Sequence, residues 1–326
     1  MNAPGRFDGS AAGRVARLLA GELVRPVSPS VTTFAARLVG QAPVMGVLFY
    51  GSALRQADPE GILDFYIVVE RQSDWPRGRS AQVANALLPP NVEYHEQVVN
   101  GATIRAKVAI ITIAQFRAMT GRRTVDTTLW ARFCQPLRLV WVRDAAAADD
   151  ILRCLVRAVA VAAWWAACLG PAEGTAERYW ESLLERTYGA ELRVESGTRP
   201  RSLLGGQEDR YRDLLTAAWT ASGLSFSRQG AILRPDVSAG VRARALRRWR
   251  LRDTLGRPLN IARLAKAAFT FTGGARYVAW KIRRHTGIEL ALTPFSERHP
   301  LICLPWLLWT LRRAGLFRKR SRPPGA

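Results

Sequence analysis

Apolar residues recur three and four positions apart at Val15, Leu18, Leu19 and Leu23, which predicts a helix over residues 11–23. A second helical pattern follows Ser28-Pro29 and runs through Phe34, Leu38 and Val39. The pattern then changes: residues 44–50 are almost continuously apolar, as in a buried strand, and the run stops at Gly51-Ser52. A second strand is expected over residues 62–69, after the turn-rich Asp58-Pro59-Glu60-Gly61. Residues 92–99 and 102–111 flank Asn100-Gly101, a strong hairpin signal, and residues 137–142 read as a fifth strand.

Beyond residue 149 the period returns to that of helices. Residues 149–169 form a very apolar stretch that predicts a core helix, with Trp164-Trp165 near its end, and helices are expected again over 176–188 and 208–221. A loop containing Gly and Ser is expected around residues 197–206, and a polar linker over residues 222–240. The expected fold is therefore mixed α/β (α+β). A domain over residues 1–150 has a helical lead-in and a mixed sheet, residues 151–235 are mainly helical, and residues 236–326 form a basic helical extension.

Charge sharpens this division. The 326-residue chain carries +22, and from Val241 to the end there are 20 Lys+Arg against 3 Asp+Glu, so most of the excess lies in the last quarter. Such a balance calls for an anionic partner: nucleic acid, a lipid surface or a polyphosphate. Cys134, Cys154, Cys168 and Cys303 show no CxxC spacing, and His95, His285 and His299 are scattered, so a zinc site is not expected. With no signal pattern at the N-terminus and no uninterrupted apolar run of about 18–20 residues, the expected location is the cytoplasm.

The candidate chemistry lies between the first two strands. An apolar strand running into Gly51-Ser52, a loop of about ten residues, and a second strand bearing Asp64 is the opening of the polymerase-β-like nucleotidyltransferase pattern. Gly51 would let the backbone approach a triphosphate, Ser52 and nearby N–H groups would bind its oxygens, and Asp64 would reach Mg2+. The familiar Asp-x-Asp of that pattern would place a further acid at Ile62. Asp58, Glu60, Glu93 and Glu191 are the candidates for a second carboxylate.

The surroundings resemble one family. Phe49-Tyr50-Gly51-Ser52, Gln56-Ala57, Ile62-Leu63-Asp64-Phe65, Val68-Val69-Glu70 and Trp75 follow the order seen in the mitochondrial translocator assembly and maintenance family, whose members are phosphatidate cytidylyltransferases. Residues 104–109 (IRAKVA) resemble that family's Ile-Lys-Tyr-Gly-Val strand. Leu129-Trp130-Ala131-Arg132 with Gln135-Pro136 is similar to its Ala-Gly-Arg-Leu-x-Lys-Pro, and residues 187–194 are similar to its Ser-Tyr-x-Gly-Asp-Phe-Arg-Met. The matches span roughly residues 44–195. Ala53 stands where the family has Gly, and Val108-Ala109 where it has Tyr-Gly.

The resemblance implies a CTP:phosphatidate cytidylyltransferase that needs Mg2+. It assigns Gly51 and Ser52 to the triphosphate, Asp64 to the metal and catalysis, and Lys107 to phosphate charge. Arg132 and Arg193 become anion contacts for CTP or phosphatidic acid, and Glu191 a metal ligand or a carboxylate that orients Arg193.

The basic extension fits the same picture. Arg247, Arg248 and Trp249 lie in a run of arginines with Leu and Trp interleaved, and Trp306 and Trp309 precede Arg312 and Arg313. Tryptophan at headgroup level with arginine on anionic lipid is the composition of an interfacial segment. The partners expected are CTP, phosphatidic acid and an anionic membrane surface rather than nucleic acid, with the protein peripheral on the inner face of the cell membrane.

Overall fold

A computed structural model describes residues 9–55, 61–190 and 204–286, together with isolated positions from 289 to 295. Two helices, α1 (Gly9–Leu23) and α2 (Pro29–Val39), lead into strand β1 (Val44–Tyr50) and a single turn of helix, α3 (Ser52–Arg55). Strand β2 (Ile62–Val69) follows, then α4 (Arg79–Leu87), β3 (Asn91–Val99) and β4 (Ala102–Thr112). Helices α5 (Ile113–Met119) and α6 (Thr128–Phe133) precede β5 (Leu137–Val142).

The five strands form one mixed sheet in the order β3-β4-β2-β1-β5. β1 runs antiparallel to both β2 and β5, β3 is antiparallel to β4, and β2 is parallel to β4. The central strands bury both faces, which is why β1 and β2 read as continuous apolar runs rather than as alternating ones. The mixed α/β architecture expected from the pattern is the one found, with the hairpin turning at Asn100-Gly101.

Alternate residues of the sheet feed two cores. Phe49, Phe65, Ile67 and Val108 pack under Val31, Phe34 and Ala35 of α2 on one side. On the other side Leu48, Tyr66, Val68 and Ile111 meet α1, α6 and the long helix α7 (Ala145–Leu169). By length and composition α7 could cross a membrane, but 72% of its most apolar window is buried inside the protein. Its apolar surface is consumed by the core. Helices α8 (Ala176–Ala190) and α9 (Glu208–Ala221) extend this second core without a break. A carboxylate ties α1 to α9 and β5: Glu22 of α1 pairs with Arg210 of α9 and accepts from the Leu137 N–H at 2.8 Å.

Two expectations need correction. The polar stretch over residues 222–240 is not a plain linker, because β6 (Phe226–Gln229) and β7 (Ile232–Pro235) pair there as a hairpin whose Leu233 is buried. Its strands are too short and too polar for alternation to reveal them. The basic stretch that follows is also not a separate surface segment. It forms α10 (Ala239–Thr270) and α11 (Gly274–Thr286), and α10 lies along the rest of the protein with Ala245 and Trp249 inside the core that begins at Ala11.

Trp249 was expected at a membrane; it is 2% exposed. Its ring packs edge-on against Trp130 and Trp165, with centroids 6.5 and 5.3 Å away. Burying so large a ring in an aromatic cluster is worth more than leaving it at an interface. Arg247 and Arg248 on the same helix are exposed. Trp306, Trp309, Arg312 and Arg313 lie outside the described residues.

Candidate nucleotide site

Strand register places the candidate residues. Asp64 of β2 stands opposite Tyr50 of β1 and beside Lys107 of β4, and Lys107 in turn faces Tyr94 of β3. Because side chains alternate, Tyr50, Asp64, Tyr66 and Lys107 all project to one face, the face that deeper in the sheet carries Leu48, Val68 and Ile111. Near the ends of these strands that face is not filled by core. It forms a cleft of about 300 Å³ lined by Tyr50, Asp64, Tyr66, Lys107 and Arg132, with α10 as the opposite wall.

Gly51 is the hinge of the arrangement. Its φ is +94°, a conformation that L side chains rarely adopt, and a Cβ added there would lie 2.5 Å from Asp64 Oδ2. The Gly-Ser turn and the carboxylate are therefore on the same side and in contact range of one another. Ser52, the next residue, is exposed at the start of α3.

Arg132 reaches the cleft from α6. Its Nη1 donates to the hydroxyls of Tyr50 and Tyr66, each at 3.2 Å, and its guanidinium lies over both rings at 5.2 and 5.9 Å. Burial pushes the Tyr50 phenol well above its ordinary range, Arg132 pulls it the other way, and the charge of Asp64 and the presence of Tyr66 push it up further. Tyr50 accordingly stays protonated, and Asp64 lines the cleft together with the cations Lys107 and Arg132.

The wall contributed by α10 was missed by the sequence reading. Lys266 donates to the carbonyls of Leu88 and Pro90 at 2.6 Å each, and Arg263 donates to the Pro89 carbonyl at 3.0 Å and pairs with Asp126. Further back, the buried Arg252 donates to the carbonyls of Arg122 and Thr124. Several cations of the basic stretch are thus turned inward to fasten α10 across the sheet. In the sequence they are indistinguishable from the outward ones, since each needs a carbonyl from a loop more than a hundred residues away.

Glu93 was a candidate for the second acid; the register removes it. It lies on the opposite face from Asp64, buried, with Arg77 paired to it, His95 Nε2 at 2.9 Å, and the Trp75 indole donating at 3.1 Å. Asp58, Glu60, Glu191 and Arg193 lie outside the described residues. Among the described residues no group of three His, Cys, Asp or Glu side chains is placed to hold a metal ion.

No protein-family model matches the chain, and no curated protein matches it. Among solved structures it is similar to the crystal structure of a nucleotidyltransferase-like protein from Exiguobacterium sibiricum 255-15. The identity is 11%, the match covers 91% of this chain and 96% of that one, and the TM-score is 0.26. The chemistry of the site follows from its own side chains.

Proposed function

We propose that the protein is a magnesium-dependent nucleotidyltransferase that transfers CMP from CTP to phosphatidic acid at an anionic membrane surface, giving CDP-diacylglycerol and pyrophosphate. The observation that carries this reading is the corner where bare Gly51 meets the Asp64 carboxylate, with Lys107 and Arg132 on the same cleft. A turn without a side chain, one acid and two cations is a donor set suited to a metal-bound triphosphate.

The set fits magnesium in particular, because that ion commonly takes one or two protein carboxylates and completes its shell with water and substrate phosphates. Asp64 would hold it. Bound there, the ion would neutralise phosphate charge and make the α-phosphorus easier to attack.

The remaining work falls to the protein. Lys107 and Arg132 take up the charge of the triphosphate, and the two tyrosine hydroxyls hold the Arg132 guanidinium in place. A phosphate oxygen of phosphatidic acid forms a bond to the α-phosphorus of CTP while the bond to the bridging oxygen of pyrophosphate breaks. That nucleophile is already ionised at neutral pH, so alignment and charge stabilisation matter more than proton transfer.

The outward face of α10 supports the membrane part of the reading. Arg244, Arg247, Arg248, Arg250 and Arg257 are exposed there, with Leu251, Leu255, Ile261 and Phe269 exposed along the same helix. Each basic side chain near an anionic surface contributes on the order of 1 kcal/mol.

The test is incubation with α-labelled CTP, Mg2+ and phosphatidic acid vesicles, comparing wild type with Asp64→Asn. Lipid-linked CMP from the first and none from the second is expected. Label appearing on RNA or a small hydroxyl compound instead would keep the reaction class and discard the lipid substrate. No transfer by wild type, with vesicle binding indifferent to Asp64, would leave a lipid-bound scaffold in place of an enzyme.

A further inference from the structure

The two C-terminal helices bring an aromatic side chain to the Asp64 corner that the sequence reading gave no role. The turn between α10 and α11 is fastened to edge strand β3: the Tyr94 N–H donates to the Thr272 carbonyl at 2.9 Å, and Glu93 bridges to Thr272. Gly273, at φ +74°, sits so close to the Tyr94 carbonyl that a Cβ would collide with it. Anchored in this way, the first turn of α11 projects Tyr277 over the sheet, and the Tyr277 N–H donates to the Gly273 carbonyl at 3.0 Å.

The Tyr277 ring lies 5.6 Å from the Tyr94 ring and 5.7 Å from Phe271, which fix its plane. Lys107 Nζ stands over that ring, 5.6 Å from its centroid. Lys107 is the β4 neighbour of Asp64 in the parallel register, and both residues line the cleft. Burial raises the Tyr277 phenol, and so does the charge of Asp64, which places the carboxylate within electrostatic reach of this helix.

We propose that Tyr277 is a positioning residue for the nucleotide site: its ring face holds the Lys107 ammonium beside Asp64, ready to be handed to the phosphates of the incoming nucleotide. The physical basis is a difference in strength. An ammonium over an aromatic face is attracted weakly when partly exposed. A charge-assisted bond to a phosphate oxygen is stronger. The ring therefore restrains a flexible four-carbon chain before nucleotide binds and yields it to the phosphate, which lowers the entropy lost on binding. The inference rests on the nucleotide reading of the Asp64 corner and assigns part of that site to a helix expected only to meet lipid.

The lysine content makes a direct test possible, because the chain has four lysines: Lys107, Lys266, Lys281 and Lys319. Reductive methylation with 13C keeps their charge and gives a spectrum simple enough to assign by substitution. The methyl signal of Lys107 should be shifted upfield by the ring in wild type and in Tyr277→Phe, and should return to the position of an exposed lysine in Tyr277→Leu.

Binding of Mg2+–CTP, measured by calorimetry on unmethylated full-length protein without lipid, should weaken on the order of 10-fold in Tyr277→Leu and recover in Tyr277→Phe. A Lys107 signal unmoved by Tyr277→Leu would overturn the contact. A moved signal with unchanged nucleotide affinity would overturn the positioning role while leaving the proposed function intact. Wild type that binds neither Mg2+–CTP nor Mg2+–tripolyphosphate would sink the nucleotide reading itself, and the role of Tyr277 with it. Matching thermal unfolding of the three proteins shows that the fold is retained.

Discussion

Asp64 and Glu93 are acids on strands of the same sheet with β4 between them, and they have opposite surroundings. Glu93 is sealed, its two oxygens taken by Arg77, Trp75 and His95. Asp64 lines an open cleft, pressed by a glycine turn and flanked by Lys107. A carboxylate enclosed by an arginine, an indole and an imidazole holds structure together; one that lines a cleft beside Lys107 and Arg132 is placed to meet a ligand. The alternation of a strand separates the two, since a shift of one position would exchange their faces.

The largest effect expected from this contrast is on turnover. Asp64→Asn should lower nucleotidyl transfer by about 100-fold or more, by analogy with the loss of a preorganised electrostatic group, with its unfolding midpoint close to wild type. Glu93→Gln should do the reverse. Removing one partner of a buried ion pair costs about 3–5 kcal/mol, and because the Arg77 side chain retains 26% exposure the loss should lie near the lower end. Urea denaturation measures it, and the activity of the folded fraction should stay at the wild-type level.

The same pair gives a pH signature. Burial alone would raise the Glu93 carboxyl, but hydrogen bonds from His95 and Arg77 and the charges of both outweigh it and hold the pKa below its ordinary value of 4.5. A depressed folded pKa means that the stabilisation is present above about pH 4.5 and is lost as pH falls through the folded value. Wild type should therefore lose stability on acidification, and Glu93→Gln should show a shallower acid limb. An identical limb would show that other carboxylates dominate it.

A smaller effect is expected at Gly51. Placing Ala at a positive φ costs roughly 1–2 kcal/mol, and the new methyl must also displace the Asp64 carboxylate. Gly51→Ala should reduce turnover about 10-fold and lower the unfolding midpoint modestly. A variant with full activity would mean that the turn does not shape the site.

Much of this contrast was legible in the sequence. The continuous apolar runs marked β1 and β2, Asn100-Gly101 marked the hairpin, and Gly51, Asp64 and Lys107, named from the order of residues, lie close together in the sheet. Glu93 was misplaced because its face depends on where β3 begins and on which strand it pairs with, and local pattern gives neither.

The C-terminal helices were the larger miss. Their arginines and tryptophans look alike along the chain, yet Trp249 goes to the core and Arg252, Arg263 and Lys266 to carbonyls, while Arg247 and Arg248 face outward. Composition identifies a charged helix; only packing distinguishes its two sides. Tyr277 belonged to that expected surface segment, and its place beside Lys107 was not legible, since nothing near it in sequence points to Lys107.

Binding of Mn2+–CTP followed by electron paramagnetic resonance tests the division between the two acids most directly, because it detects the metal–nucleotide complex without requiring a lipid acceptor. Wild type and Glu93→Gln should take up the complex alike, and Asp64→Asn should lose it. Equal uptake by wild type and Asp64→Asn would contradict the assignment of the cleft as the nucleotide site.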